Sequence, residues 1–238
     1  MSIYVSYSSL QDYISCQQKV HYRIFEKGEA LPSREMLMGT ITHKVLEKDW
    51  DSKVIALQTA KRYCEEYSLD KPSSSSVEHF INIYFESFSK MVTSSDSIEK
   101  RFKVKMTGDT YLVGVFDRIT RGTVIDWKTS ANPPKRLDNN VQFIIYNLAY
   151  NLLYKKPPEG LYLAALKDGS LVRYSESKEH TDTLITKIIP EFVEAVRTKS
   201  FIKTGLFNGS CYRCPYKLPC LGKEKLYDEG RNSEFTSG

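Results

Sequence analysis

At 238 residues, 41% hydrophobic and 26% charged, the chain is long enough for one sizeable core and balanced like a soluble globular protein, which excludes a fibrous or disordered chain. The net charge of +5 permits a polyanionic partner without requiring one, and the excess is uneven, because Arg197 to Arg231 carries eight Lys or Arg against three acids. No stretch approaches the ~18 to 20 uninterrupted apolar residues of a membrane helix, and MSIYVSYSSL lacks a basic region ahead of an apolar core, so no membrane and cytoplasmic residence are expected.

The first 50 residues read as helical. Ser8 and Gln11 have the spacing of a capping box ahead of Leu10, Tyr13, Ile14, Val20, Tyr22 and Phe25, with Cys16 inside the stretch. A second helix is predicted from Arg34 to Trp50, with His43 and Glu47 four residues apart, and helical character continues from Val54 to Tyr67. KPSSSS, Lys71 to Ser76, predicts a loop before an aromatic-rich helix from Val77 to Val92. The period then changes to strands at Phe102–Met106, Tyr111–Phe116 and Thr123–Trp127. A helix over Asn139–Tyr154, a strand over Leu161–Lys167 and a helix over Asp182–Lys199 precede a cysteine-bearing tail. This order predicts an α/β fold whose helix crosses over between the third and fourth strands.

The segment GVFDRITRGTVIDWKTS, Gly114 to Ser130, bears the chemistry. If Arg121-Gly122 is a two-residue turn, residues whose numbers total 243 face one another, and Asp117 lies across from Asp126. Counted from the turn this is a non-hydrogen-bonded pair, with Cβ atoms roughly 4.5 to 5.5 Å apart. Two buried carboxylates so placed repel each other, and a divalent cation between them relieves the repulsion. Lys128, two residues after Asp126, projects from the same face and can hold or activate a water and offset charge on a phosphate. The hairpin alone fits equally well with solvent-facing acids paired to Lys128. The apolar flanks, Leu112 to Phe116 with Val124, Ile125 and Trp127, make it a buried hairpin and favour function.

Asp117 followed by Asp126-x-Lys128 resembles the PD-(D/E)XK nuclease motif. Gln142 and Tyr146, in QFIIY, match the Q-x3-Y motif of its RecB-like members, and His43, in GTITHKVLE, matches their upstream metal-binding histidine. The resemblance implies a restriction-endonuclease-like core, a central mixed sheet flanked by helices. It implies Mg²⁺ or Mn²⁺ held by His43, Asp117, Asp126 and the Trp127 carbonyl, with Lys128, Gln142 and Tyr146 completing the catalytic set. Glu47 and Glu99 are weaker candidates for a supporting role.

Five cysteines in odd number, with no secretion signal, argue for thiolate ligands over disulfides. Cys211, Cys214 and Cys220 form C-x2-C-x5-C, stiffened by Pro215 and Pro219. Cys16 is the candidate fourth ligand, in a segment that resembles the RecB-like nucleases whose one early cysteine joins three late ones around a [4Fe-4S] cluster. Zinc is the alternative for four thiolates, although zinc sites more often use two C-x2-C pairs. Cys64 stands apart as structural. The expected organisation is one nuclease domain over 1–230, with a core at 34–199, an iron-sulfur region built from 1–30 and 200–225, and a disordered tail at 231–238.

The resemblance, which extends to CRISPR-associated spacer-acquisition nucleases and AddB subunits, implies a single-stranded DNA exonuclease, 5′ to 3′, with some endonuclease activity. It suits a phage or mobile element and then a host cytoplasm, with protein partners in recombination, replication or spacer acquisition, and it leaves homo-oligomerisation open. The rival reading is a non-catalytic DNA-binding or assembly subunit.

Overall fold

The structure, a computed structural model, describes residues 2–26, 32–130, 134–212 and 214–221. Contacts divide the chain into two compact units: Met1–Tyr7 with Pro32–Lys187, and Ser8–Leu31 with Ile188–Gly238.

The first unit is an α/β fold around a mixed sheet. Strand β1 (Ile3–Val5) is followed, after α1 and α2 of the second unit, by helices α3 (Arg34–Lys48), α4 (Lys53–Glu66) and α5 (Lys71–Ile83). Strands β2 (Ser97–Lys105), β3 (Thr110–Thr120) and β4 (Thr123–Lys128), helix α6 (Val141–Tyr154), strands β5 (Gly160–Ala165) and β6 (Leu171–Arg173) and helix α7 (Lys178–Thr183) complete it. The sheet runs β1-β3-β4-β5-β6 with β2 paired to β3. The β1–β3 and β4–β5 pairs are parallel and the others antiparallel. α6 carries the chain across from β4 to its parallel neighbour β5, as the element order requires.

One core forms where α3, α4 and α5 cover the sheet, with Ile41, Val45, Ala60, Val77, Ile81 and Phe88 packing on Ile125, Trp127 and Ala164. Tyr84 meets the Trp127 ring edge to face at 5.4 Å. On α6, Phe143, Tyr146 and Tyr150 are buried, and Phe116 of β3 lies 5.1 Å from the Tyr146 ring.

Three local expectations are corrected. KPSSSS is not a loop. Asp70 caps α5 by accepting from Ser73 N at 3.0 Å, Pro72 occupies the first turn where its missing N–H costs nothing, and Ser74 and Ser76 bond back to carbonyls four residues earlier. The N-terminal stretch is not continuously helical either. It begins as β1, whose three residues are too few to show a period, and its helix is broken at Cys16 (φ −164°, ψ 113°), which ends α1 (Tyr7–Ser15) and starts α2 (Gln17–Ile24). Because α1 starts at Tyr7, Ser8 sits inside the first turn and is not its cap.

The second unit contains α1, α2, α8 (Ile189–Thr198), α9 (Gly205–Asn208) and α10 (Lys217–Leu221). Tyr13 of α1 packs edge to face on Phe192 of α8 at 5.6 Å, and Tyr22 of α2 stacks on Tyr216 at 5.4 Å. The 231–238 tail lies outside the described residues.

β3 is anchored by a buried ion pair. Arg118, 2% exposed, donates through Nε to Asp96 Oδ2 at 2.9 Å and through Nη2 to the Thr93 carbonyl at 2.9 Å, and its guanidinium lies 4.5 Å from the Trp50 ring. Asp96→Ala strands that guanidinium without a counter-charge, which costs about 3–5 kcal/mol for pairs of this kind. Urea unfolding of the variant should show a loss on that scale, and a loss below ~1 kcal/mol would mean that solvent already screens the pair.

Candidate active site

The β3–β4 turn has Arg121 at φ +47° and Gly122 at φ +81°, the two left-handed residues of a type I′ hairpin. The paired residues Arg118↔Ile125, Ile119↔Val124 and Thr120↔Thr123 each total 243, the register the two-residue turn dictates. The ladder then stops. β4 continues beside β5 as far as Lys128↔Ala165, while β3 continues beside β2 and β1, so the hairpin opens into a fork. At the mouth of that fork the Trp127 N–H, which a continued ladder would give to the main chain, donates instead to Asp117 Oδ2 at 2.9 Å.

Asp126, 1% exposed, is held on both oxygens. Oδ1 accepts from Gln142 Nε2 at 2.7 Å and from the Tyr146 hydroxyl at 3.1 Å, and Oδ2 lies 2.8 Å from Lys128 Nζ. The Tyr146 hydroxyl also lies 2.7 Å from the Val115 carbonyl and accepts from Gln142 Nε2 at 3.0 Å. Asn140 fixes the start of α6 by accepting from the Gln142 and Phe143 N–H groups, so the one-turn spacing of Gln142 and Tyr146 lands both on one carboxylate.

His43, from the middle of α3, reaches the fork from another element. Its Nε2 lies 3.0 Å from the Trp127 carbonyl, which can only accept, so Nε2 carries the proton. Burial holds the imidazole pKa below its usual value, which keeps the ring neutral and leaves Nδ1 a bare lone pair 3.5 Å from Asp117 Oδ2. Glu99 joins them: one ligand atom each from His43, Glu99 and Asp117 lies within 4.8 Å of the others. Ligands on opposite sides of a cation with bonds of about 2.0–2.1 Å are about 4.2 Å apart, so this oxygen and nitrogen set fits a small divalent ion with little adjustment.

The electrostatics show the strain of crowding. Burial first, and the Asp126 charge second, raise the Asp117 pKa well above the usual carboxylate range. Burial and the Asp117 charge raise Glu99 to about 7. Burial alone would weaken the Lys128 ammonium, but Asp126 and Asp117 outweigh it and raise its pKa, so Lys128 is a cation.

The sequence-derived candidates His43, Asp117, Asp126, Trp127, Lys128, Gln142 and Tyr146 therefore line one fork, but among the described residues Asp126, engaged by Gln142, Tyr146 and Lys128, is not in the group whose ligand atoms lie within 4.8 Å of one another. Glu99 is closer to its centre than the sequence suggested. The β2–β3 pairs total 216 from Ser97↔Ile119 to Lys105↔Tyr111, which sets Glu99 opposite Asp117, yet that pair is missing because Glu99 takes φ +45°. A strand begun at Phe102 could not reveal this. Glu47 lines the open cleft of about 1110 Å³ that also reaches His43, Glu99 and Lys128.

A family model for the PD-(D/E)XK nuclease superfamily matches residues 4–220. The chain belongs to that superfamily. The crystal structure of a protein described as a putative exonuclease from Eubacterium rectale superposes with a TM-score of 0.65 at 11% identity, covering 89% of this chain and 88% of that one. At that identity the likeness is one of fold, the mixed sheet flanked by helices. No curated protein sequence matches the chain significantly.

In the second unit, Cys16, Cys211, Cys214 and Cys220 line one cavity with Lys19 and Lys217. Gly205 closes it: a Cβ there would lie 3.1 Å from Cys16 Sγ and 3.2 Å from Cys211 Sγ. No three of the cysteine sulfurs lie within 4.8 Å of one another among the described residues. Cys64 is buried in the first unit's core.

Because Glu99 binds its proton more tightly folded than unfolded, it adds to stability below about pH 4.5, and that contribution is lost as pH rises towards 7. Glu99→Gln should therefore raise the Tm of the EDTA-treated protein at pH 8 and flatten the decline between pH 4.5 and 7. Superimposable pH profiles for the two proteins would show that Glu99 is not under this repulsion.

Proposed function

We propose that the chain is a RecB-like member of its superfamily that hydrolyses DNA phosphodiester bonds with Mg²⁺ or Mn²⁺, acting as an exonuclease on single-stranded DNA. The observation that supports this best is the meeting of buried Asp117 and Asp126 with half-buried His43 and Glu99 and the Lys128 cation beside them, a charge arrangement that a simple surface ion pair does not explain. His43 Nδ1, Asp117, Asp126 and Glu99 would hold the ion, and the Trp127 carbonyl, already within 3.0 Å of His43, retains a lone pair for it. A divalent ion held there would lower the pKa of a water so that hydroxide is available to attack phosphorus, and would neutralise charge on the phosphate oxygens.

The chain's own residues do the rest. Lys128, kept cationic by Asp126, holds the attacking water by hydrogen bond and offsets the negative charge that builds on the phosphate. Its raised pKa argues against a role as general base. Gln142 and Tyr146 hold Asp126 in place, and their polar atoms are used on that carboxylate and not on the substrate strand. The cleft beside His43 and Lys128 gives a strand room to enter. The 5′ to 3′ polarity and any endonuclease activity rest on the RecB-like resemblance.

In the second unit, the four cysteines suit a [4Fe-4S] cluster. Tetrahedral zinc, with Zn–S bonds of about 2.3 Å, needs four sulfurs about 3.8 Å apart, and no three of these sulfurs lie within 4.8 Å of one another among the described residues. Lys19 and Lys217 supply positive charge for an anionic cluster.

On end-labelled single-stranded DNA with Mn²⁺, Lys128→Ala should cut about 10²- to 10³-fold more slowly than wild type while binding the oligonucleotide as tightly. If wild type also leaves the DNA intact but bound, the chain is a binding subunit. Protein purified without oxygen should be brown and contain about four irons per chain, and Cys214→Ser should lose them. A colourless protein with one zinc would overturn the cluster.

A further inference from the structure

One side of the β2–β3 wing of the sheet carries exposed and half-buried residues, and it starts at the fork. In the β2–β3 register, Glu99, Arg101, Lys103 and Lys105 share a face with Asp117, Val115, Val113 and Tyr111, and β1 adds Tyr4 opposite Tyr111. The alternate residues Phe102, Val104, Leu112 and Phe116 are buried on the other side, where Phe102 meets Tyr146 of α6 at 6.3 Å. Arg101, Lys103, Lys105 and Tyr4 are exposed and Tyr111, Val113 and Val115 are half-buried. Beyond Glu99 and Asp117, none of the residues the register puts on this face is acidic. Lys103 Nζ lies 4.8 Å from the Tyr4 ring centre and 4.6 Å from that of Tyr111, and the two rings are 5.9 Å apart.

The geometry points to this face as a platform for single-stranded DNA that leads the strand to the fork, with Tyr4 and Tyr111 stacking bases and Arg101, Lys103 and Lys105 contacting phosphates. It rests on the nuclease reading above and adds to it the path of the strand and the residues that select unpaired bases. Side chains two apart on a strand stand about 6.8 Å from one another, so three cations follow an extended strand over successive phosphates. Aromatic faces accept any unstacked base but not one inside a duplex, which ties the face to single strands. An exposed cation–π contact is weaker than a stacked base, so a base can displace the Lys103 ammonium from the rings towards a phosphate. Lysines on the outer strand β2 also keep a second chain from pairing with its free edge. That accounts for the charge but not for two paired tyrosines in the same row.

The test uses the full-length wild-type protein and variants with fluorescein-labelled oligothymidylate and a matched duplex, in EDTA so that nothing is cut. Tyr111→Ala and Tyr4→Ala should each weaken oligothymidylate binding about tenfold, the scale of one lost stack. Tyr111→Phe should restore it, and duplex binding should move less. Lys103→Gln should lower the slope of log affinity against log salt by about 0.7. A parallel Mn²⁺ cleavage assay keeps the two readings apart. If wild type does not cut but Tyr111→Ala loses affinity, the platform stands and the nuclease reading falls. If wild type cuts and the tyrosine variants bind like it, or if no protein binds the single strand, the platform is overturned.

Discussion

The site depends on a repulsion. Asp117 and Asp126 are buried and Glu99 half-buried on three adjacent strands, near enough that Asp117 and Glu99 hold protons above the normal carboxylate range. A fold does not gain from such an arrangement alone, because each carboxylate loses hydration and meets like charge. Lys128 and the donors on Asp126 offset part of it. A divalent cation bound there would offset the rest, which would make ion binding and local stability one coupled quantity.

The repulsion persists because its surroundings over-determine it. β3 cannot slide away, since Arg118 next to Asp117 is bound to Asp96 and Thr93 and packed on Trp50. β4 cannot either, since it is zipped to β5 through Lys128 and its Trp127 is wedged among Tyr84 and Phe88. Between them the ladder is open, and the Trp127 N–H freed by the opening is satisfied by Asp117 itself. The unusual φ of Glu99 is the third sign that the backbone accepts strain where the acids meet.

Much of this was legible in the sequence for definite reasons. A two-residue turn at Arg121-Gly122 admits one register, so the facing of β3 and β4 could be counted from the turn, and the four-residue interval between Gln142 and Tyr146 fixes a shared helix face. The order of α6 between two strands gave the crossover. What escaped depended on partners remote in sequence or on backbone detail. Glu99 is one acid at the end of a charged strand, and its position opposite Asp117 emerges only when β2 extends back to Ser97. β1 has three residues and no readable period. KPSSSS has loop composition, and only the Asp70 cap and the position of Pro72 turn it into a helix start. The residues past Leu221 lie outside the described structure.

The fork also organises the surface around it. A sheet that stayed paired from β3 to β4 would carry its helices across one continuous face, with α3 to α5 covering it throughout. By parting, the sheet keeps those helices over β4 and β5, where Ile125, Trp127 and Ala164 feed their core, and leaves the β1–β3–β2 wing with its buried apolar residues Phe102, Val104, Leu112 and Phe116 on the α6 side. The bare side of that wing must then carry residues that tolerate water, and the chain meets the requirement with cations and tyrosines, not with the acids that dominate the fork a few residues away. Sign of charge therefore changes along a single strand, from Glu99 to Arg101 and Lys103, within the length of one nucleotide step or so. Under the proposed function, a polyanion drawn to the cations at one end of β2 would find, at the other end, carboxylates that repel it unless a cation intervened, and the position of that cation would be the position at which a backbone phosphate is held against a water.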